Sequence, residues 1–229
     1  MHQSTLNSLK SHSVKNLEKQ VIRFTVGQYS LSGILTKSIR NSKEVILLLH
    51  PHPLYGGDMD NPIVMSLENK LLQLGFATFR FNFRGASNSH DSFEGMSGAV
   101  IDTEKAAQSL KERDYVLYSV IGYSFGGSAA LRFAISNPLM FLITLSASLS
   151  LFTESGYPLH TLSGINCPIL MFHGTSDRVV PFTDMEVLSA EMEQKAKTVQ
   201  LSNEGHFYIH SISTILYEVE KFISSLKKT

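Results

Sequence analysis

A serine, a histidine and a carboxylate held in one line can break an acyl bond, and this chain offers each in a telling setting. The serine is Ser124, in Gly122-Tyr123-Ser124-Phe125-Gly126. A strand with three apolar residues, Leu117, Val120 and Ile121 within Val116 to Ile121, precedes it, and a helix-compatible run, Ser128 to Ile135, follows. Strand, G-x-S-x-G and helix, in that order, read as a nucleophile elbow. The turn is so sharp that the serine must enter a backbone region unfavourable for a residue with a Cβ. Glycines two before and two after leave space for it. The turn lifts the hydroxyl clear of the sheet. It also aims the N–H of Phe125, at the head of a helix, at any negative charge that develops there.

A serine hydroxyl is a poor nucleophile until a base takes its proton. The base is best an imidazole, and the imidazole needs a carboxylate to fix its tautomer. In open α/β sheets such groups lie at the carboxyl ends of strands. Asp177 follows the apolar run Ile169 to Phe172, and His206 follows the run Thr198 to Leu201. These are the expected acid and base. Asp184 reads as first-turn helix charge, His210 as surface or packing, and His173 as structural. Arg84 is expected to hydrogen-bond loop carbonyls.

The loop His50-Pro-His-Pro-Leu-Tyr-Gly-Gly57 carries an H-x-H pair. A catalytic metal wants three protein ligands on a defined scaffold, and the prolines stiffen a loop instead. No metal and no cofactor is expected. Proline has no N–H, so the donors of this loop are His52, Leu54 and Tyr55. The expected oxyanion hole is the N–H of Phe125 with that of His52 or Leu54. Tyr55, Phe152 and Tyr157 are expected to line the substrate pocket.

The elements that must position these residues alternate along the chain. Val21 to Val26 and Tyr29 to Leu35 flank Gly27-Gln28 and read as an antiparallel hairpin. Val45 to Leu49 is a continuous apolar run, as a strand buried on both faces requires. Asp60 or Asn61 can cap a helix that begins at Pro62 and ends at Gly75. A strand over Phe76 to Phe83, a helix over Ser97 to Arg113 and the strand under the elbow come next. After the elbow helix, Phe141 to Leu145 is a strand, and residues 146 to 166 read as loop. Helices are expected over Phe182 to Lys195 and Phe207 to Leu226. Alternation of this kind gives a mostly parallel sheet with helices on both faces.

The 229 residues suit one domain over residues 20–229, after a mobile tail over residues 1–19. That tail has no apolar core of a secretory signal and no arginine. The formal net charge is +0, from 20 basic and 20 acidic residues, so nothing argues for a nucleic acid partner. No run approaches the ~18 apolar residues of a membrane span. The single cysteine, Cys167, leaves no internal disulfide and fits a reducing compartment, so a cytoplasmic protein is expected. Cys167 itself reads as a buried structural thiol.

The order Ser124, Asp177, His206 is that of the α/β-hydrolase fold, and the chain resembles that superfamily over nearly all its length after about residue 20. It is most similar to the small, lidless, bacterial-type relatives of dienelactone hydrolases and carboxylesterases. The matching pieces are L-L-L-H-P-H-P-L-Y-G-G-D-M-D-N at 47–61, R-F-N-F-R-G at 80–85, G-Y-S-F-G-G at 122–127, H-G-T-S-D-R-V-V-P at 173–181 and E-G-H-F at 204–207. The resemblance implies Ser124 as nucleophile, Asp177 as acid, His206 as base, and half an oxyanion hole from the 50–57 loop. The chain departs from the pattern at Ser87, where many members have a second glycine, and at Ala99, where an acidic residue is often found. The expected reaction is hydrolysis of a small-molecule carboxylic ester or thioester through an acyl-enzyme. The alternative is a catalytically silent binding or scaffold protein on the same fold. Residues 146–168 are too few for a large cap, so an open cleft is expected.

Overall fold

The computed structural model describes residues 17–40, 42–86 and 93–226. The chain enters through a hairpin of β1 (Lys19–Val26) and β2 (Tyr29–Thr36). Gly27 turns it with a φ of 58°, the left-handed conformation a two-residue hairpin calls for. Strand β3 (Glu44–Leu49), helix α1 (Pro62–Gln73) and strand β4 (Ala77–Phe81) follow. Next come α2 (Gly95–Lys111), β5 (Val116–Tyr123), α3 (Phe125–Ser136) and β6 (Phe141–Leu145). The short helix α4 (Leu149–Phe152) leads to β7 (Ile169–Gly174), α5 (Phe182–Ala190), β8 (Ala196–Leu201) and α6 (Ile212–Leu226).

The eight strands form one sheet in the order β1-β2-β4-β3-β5-β6-β7-β8. The two hairpin strands pair antiparallel, and β2 joins β4 antiparallel; every pairing from β4 to β8 is parallel. Side chains alternate across the sheet with period two, and the cores record it. Val45, Leu47, Val120 and Met171 face α2, α3 and α5, whereas Ile46, Leu48, Ile121 and Leu170 face α1 and α6. A run apolar at every position is therefore what these central strands need.

Two buried arginines tie loops to this frame. Arg80 on β4 donates from Nε to Glu68 of α1 (3.1 Å) and from Nη1 to Asp60 (2.5 Å) and the carbonyl of Met59 (3.2 Å). Glu68 also accepts the hydroxyls of Thr36 and Thr78. This pins the residues just before α1, whose Asn61 caps the helix by accepting Ile63 N–H at 2.9 Å. Arg84, after β4, is held by carboxylates rather than by the loop carbonyls expected of it. Its backbone N–H and its guanidinium both donate to Asp102 of α2, and Nη1 reaches Glu94 at 2.5 Å. The acid missing at Ala99 is thus supplied from nearby positions. Ser87 and most of the expected tail lie outside the described residues.

The structure departs most from the sequence expectation at three places. The helix from Phe182 stops at Ala190, and a 3-10 turn, Glu193–Lys195, leads into β8. The closing helix starts at Ile212 rather than Phe207, because Tyr208 holds a φ of 50° and no α-helix accepts that. The Glu204 carboxylate shapes the turn instead, accepting N–H groups of Gly205 and His210. Residues 146–166 are not bare loop. They form α4 and two 3-10 turns, Glu154–Gly156 and Leu159–Gly164. Arg132 of α3 holds this segment down by donating to the carbonyls of Phe152 (2.7 Å) and Glu154.

Candidate active site

Ser124 stands between the end of β5 and the start of α3 with φ 55° and ψ −116°. A non-glycine residue there is strained by about 1–3 kcal/mol, so the surroundings must enforce it. A Cβ on Gly122 would stand 2.1 Å from the carbonyl oxygen of Gly126, and one on Gly126 would stand 2.4 Å from that of Leu49. Only glycine at both places lets the turn close against the end of β3. Ser124 N–H is anchored across the sheet on the carbonyl of Leu145 at 2.7 Å.

Asp177 and His206 meet the serine from β7 and β8. Ser124 Oγ is 3.0 Å from His206 Nε2, and His206 Nδ1 is 2.7 Å from Asp177 Oδ2. The other carboxylate oxygen accepts the N–H groups of Val179 and Val180, each at 2.9 Å. Burial opposes the charge on Asp177. Hydrogen bonds from His173, His206, Val180 and Val179 outweigh it and hold the carboxyl well below the usual carboxylate range. Gly174 makes room for this approach, since a Cβ there would meet the carbonyl of Glu204 at 2.3 Å. Tyr123 Oη donates to the carbonyl of His206 at 2.8 Å and steadies the backbone that carries the imidazole.

Around the elbow, the N–H inventory distinguishes the candidate oxyanion donors. Tyr55 and Gly57 N–H groups both donate to the carbonyl of His52, closing a 3-10 turn, Pro53–Tyr55. Leu54 N–H donates to His52 Nδ1 at 3.3 Å. Leu54 is thus already committed within its own turn. The N–H groups of His52 and Phe125 have no acceptor among the described residues. His50 and His52 do not form a metal pair. The His50 ring is fully buried, donating from Nδ1 to the carbonyl of Pro51 (2.6 Å) and accepting Phe83 N–H at Nε2 (3.0 Å). Burial lowers its pKa to about 4, so it joins the loops after β3 and β4 as a neutral ring. Among the described residues no group of histidines, cysteines and carboxylates is placed to hold a metal ion.

A cleft of about 400 Å³ opens over Ser124, lined by Tyr55, Asn61, Val179, His206 and Phe207 among others. Tyr55 is where the sequence suggests. Phe152 and Tyr157 are not. Phe152 is 0% exposed, with Tyr157 edge-on to it at 5.6 Å and the Arg132 guanidinium over Tyr157 at 4.4 Å. Both belong to packing on α3, away from the cleft. Val179 and Phe207, which sequence reasoning passed over, supply the exposed apolar rim instead, at 61% and 66% exposure. Their signal was adjacency. Each lies within two residues of the expected acid or base, on the same strand-end loop.

Comparison with known proteins bears on the family and the fold. The model of the dienelactone hydrolase family matches residues 84–211. The chain belongs to that family. The stretch matched contains Ser124, Asp177 and His206. An uncharacterised protein of Rickettsia prowazekii is 24% identical over 213 residues, spanning 90% of this chain and 86% of that one. A protein of unknown function from Agrobacterium tumefaciens has a TM-score of 0.79 at 25% identity, covering 90% of this chain and 95% of its own. A serine hydrolase without lid from Xanthomonas campestris has a TM-score of 0.78 at 20% identity, covering 91% and 94%. The fold is that of the α/β-hydrolases, and membership of the dienelactone hydrolase family makes the protein a hydrolase. Among the described residues no helix is long and apolar enough to cross a membrane.

Proposed function

We propose that the protein is a serine hydrolase that cleaves carboxylic esters or thioesters through an acyl-enzyme. One observation carries this reading: the unbroken line Ser124 Oγ, His206, Asp177, at 3.0 and 2.7 Å, under an open cleft. Ser124 attacks the carbonyl carbon as His206 Nε2 takes its proton. The oxyanion forms against the N–H groups of Phe125 and His52, which have no acceptor among the described residues. Collapse breaks the bond to the leaving oxygen or sulfur, to which His206 returns the proton. Water, activated by the same imidazole, then releases the acid. Asp177 stays ionised throughout and stabilises the imidazolium.

The segment after β6 lies against α3, so it does not roof the cleft. Methylenes beyond the cleft wall stay in water and gain little of the about 25 cal/mol per Å² that burial would give. Short acyl groups are therefore the preferred substrates. Purified protein, treated with a fluorophosphonate and digested for mass spectrometry, should carry the label on Ser124. Ser124→Ala should abolish both labelling and turnover of activated esters and thioesters. A folded protein that neither labels nor turns over any of them belongs to the silent scaffold class instead. A specificity constant that rises steadily from two to twelve acyl carbons would contradict the short-acyl assignment.

A further inference from the structure

Two hydroxyls that take no part in the chemistry above converge on its acid. Ser146 Oγ donates to Asp177 Oδ2 at 2.9 Å and lies 2.6 Å from Tyr208 Oη, which is 3.3 Å from the carbonyl of Phe172. Both residues are buried. Both also sit in the left-handed region, with φ of 44° at Ser146 and 50° at Tyr208. Glycine would occupy either place without strain. Two strained residues whose side chains meet beside one carboxylate call for an explanation in function.

The protons can be placed by elimination. An ionised Asp177 only accepts, so the single proton of Ser146 goes to it. Ser146 must then accept from Tyr208. A Tyr208 proton turned fully to Phe172 would leave two oxygens facing each other at 2.6 Å with no hydrogen between them. The line is therefore Tyr208 to Ser146 to Asp177 Oδ2, with His206 Nδ1 on the same oxygen. Oδ1 is already fixed by the N–H groups of Val179 and Val180. The carboxylate thus has a backbone clamp for its orientation. The hydroxyl couple adds a second donor to the very oxygen that His206 uses, and draws charge away from it.

We propose that Ser146 and Tyr208 form a positioning pair that keeps the proton between Asp177 and His206 on His206 Nδ1 and restrains the basicity of the imidazole, so that it can hand its other proton to the leaving group. This rests on the reading of Ser124, His206 and Asp177 as the reacting line. Other titratable groups face it from the packed elements. His173 of β7 has Nε2 3.5 Å from Asp177 Oδ2. Tyr123 of β5 lies with its ring 5.4 Å from that of His206, and Glu204 approaches from the turn after β8. All are retained in the variants below, so their contributions are common to every comparison.

Ser146→Gly removes the hydroxyl and relieves the strain, Ser146→Ala removes the hydroxyl alone, and Tyr208→Phe removes the upstream donor. Losing a donor leaves Asp177 Oδ2 richer in charge and His206 more basic. The acid limb of kcat/KM should move to higher pH by about half a unit to one unit in both Ser146 variants. Tyr208→Phe should move it the same way by less, because Ser146 keeps its proton on Asp177. The low-field proton resonance of His206 Nδ1–H should move further downfield, while Ser146→Gly melts no lower than Ser146→Ala. An unmoved limb and an unmoved resonance in folded Ser146→Gly or Tyr208→Phe would overturn the proposal. So would a shift of either to the opposite side. The resonance needs no turnover. A wild type inactive on every ester would sink the esterase reading, and the resonance would still decide this one.

Discussion

Asp177→Asn tests the reacting line most sharply, because the structure dictates how the amide must sit. In the native protein Oδ1 accepts two backbone N–H groups at 2.9 Å, and Oδ2 accepts His206 Nδ1 at 2.7 Å and Ser146 Oγ at 2.9 Å. Asparagine has one oxygen for these two sites. If the oxygen served His206, the amide nitrogen would face two N–H groups and forfeit two bonds of about 1.5–3 kcal/mol each in their charged form. The oxygen therefore stays under Val179 and Val180, and the nitrogen turns to His206. Nδ1 must then accept, its proton passes to Nε2, and Nε2 faces Ser124 as a donor. Ser124 loses its base. A loss of about 10⁴ in kcat is expected, the size found in the best-studied triad when the tautomer is inverted. Stopped-flow acylation with an activated acetate ester would measure it, with circular dichroism to show the fold retained. Asp184→Asn is the control, since among the described residues the Asp184 carboxylate accepts only the N–H of Leu149, at 2.8 Å, which an amide oxygen also can. A folded Asp177→Asn within tenfold of wild type, or a more damaging Asp184→Asn, would refute the reasoning.

Three further outcomes follow from the packing. Burial lowers the pKa of His50 to about 4 from an ordinary 6.5, so the unfolded chain binds its proton first. Stability should fall by on the order of 3 kcal/mol as pH drops from about 6.5 to about 4, and urea titrations of His50→Gln should show a flatter dependence over that window. Gly122→Ala would place a Cβ 2.1 Å from the carbonyl oxygen of Gly126. The elbow must shift, and fluorophosphonate labelling of Ser124 should slow about 10²-fold, the scale of an ångström's misplacement. Phe152→Ala should cost about 3–5 kcal/mol of stability with KM unchanged, whereas Tyr55→Ala should raise KM and leave the melting temperature alone. The reverse pattern would return Phe152 to the cleft.

The residues proposed to react were legible in the sequence because each is signalled locally. The elbow is a run of five residues with a steric logic; Asp177 follows the apolar run Ile169 to Phe172, and His206 follows the short strand-like stretch Thr198 to Leu201. The sheet was legible for the same reason: β3 and β6 are apolar at successive positions, so both faces must be covered. What failed depended on contacts far along the chain. Phe152 and Tyr157 sit on a segment whose direction is set by Arg132, some 20 residues earlier, reaching back to its carbonyls. Leu54 looked like a donor until the 3-10 turn placed its N–H on the His52 ring. Ser146 and Tyr208 had no signal at all. They lie 62 residues apart, and only the adjacency of β6 and β7, with the turn at Glu204, brings them to Asp177. The start of α6 was misread because the strain at Tyr208 depends on that same side chain pointing inward.

The proposed base, His206, follows an edge strand of the sheet. β8 pairs only with β7 and exposes much of its length to water, while the elbow and the acid hang from strands with neighbours on both sides. Proteins open by sub-global units, and an edge strand with its trailing turn is among the least protected. Departure of β8 would carry His206 out of line while leaving Ser124 on its turn and the central strands paired. On this account inactivation under heat or denaturant should run ahead of global melting, which residual activity followed beside circular dichroism would show. The same opening would bare the edge of β7, a row of unpaired backbone groups suited to capturing another chain. Loss of catalysis and the first step toward aggregation would be a single event.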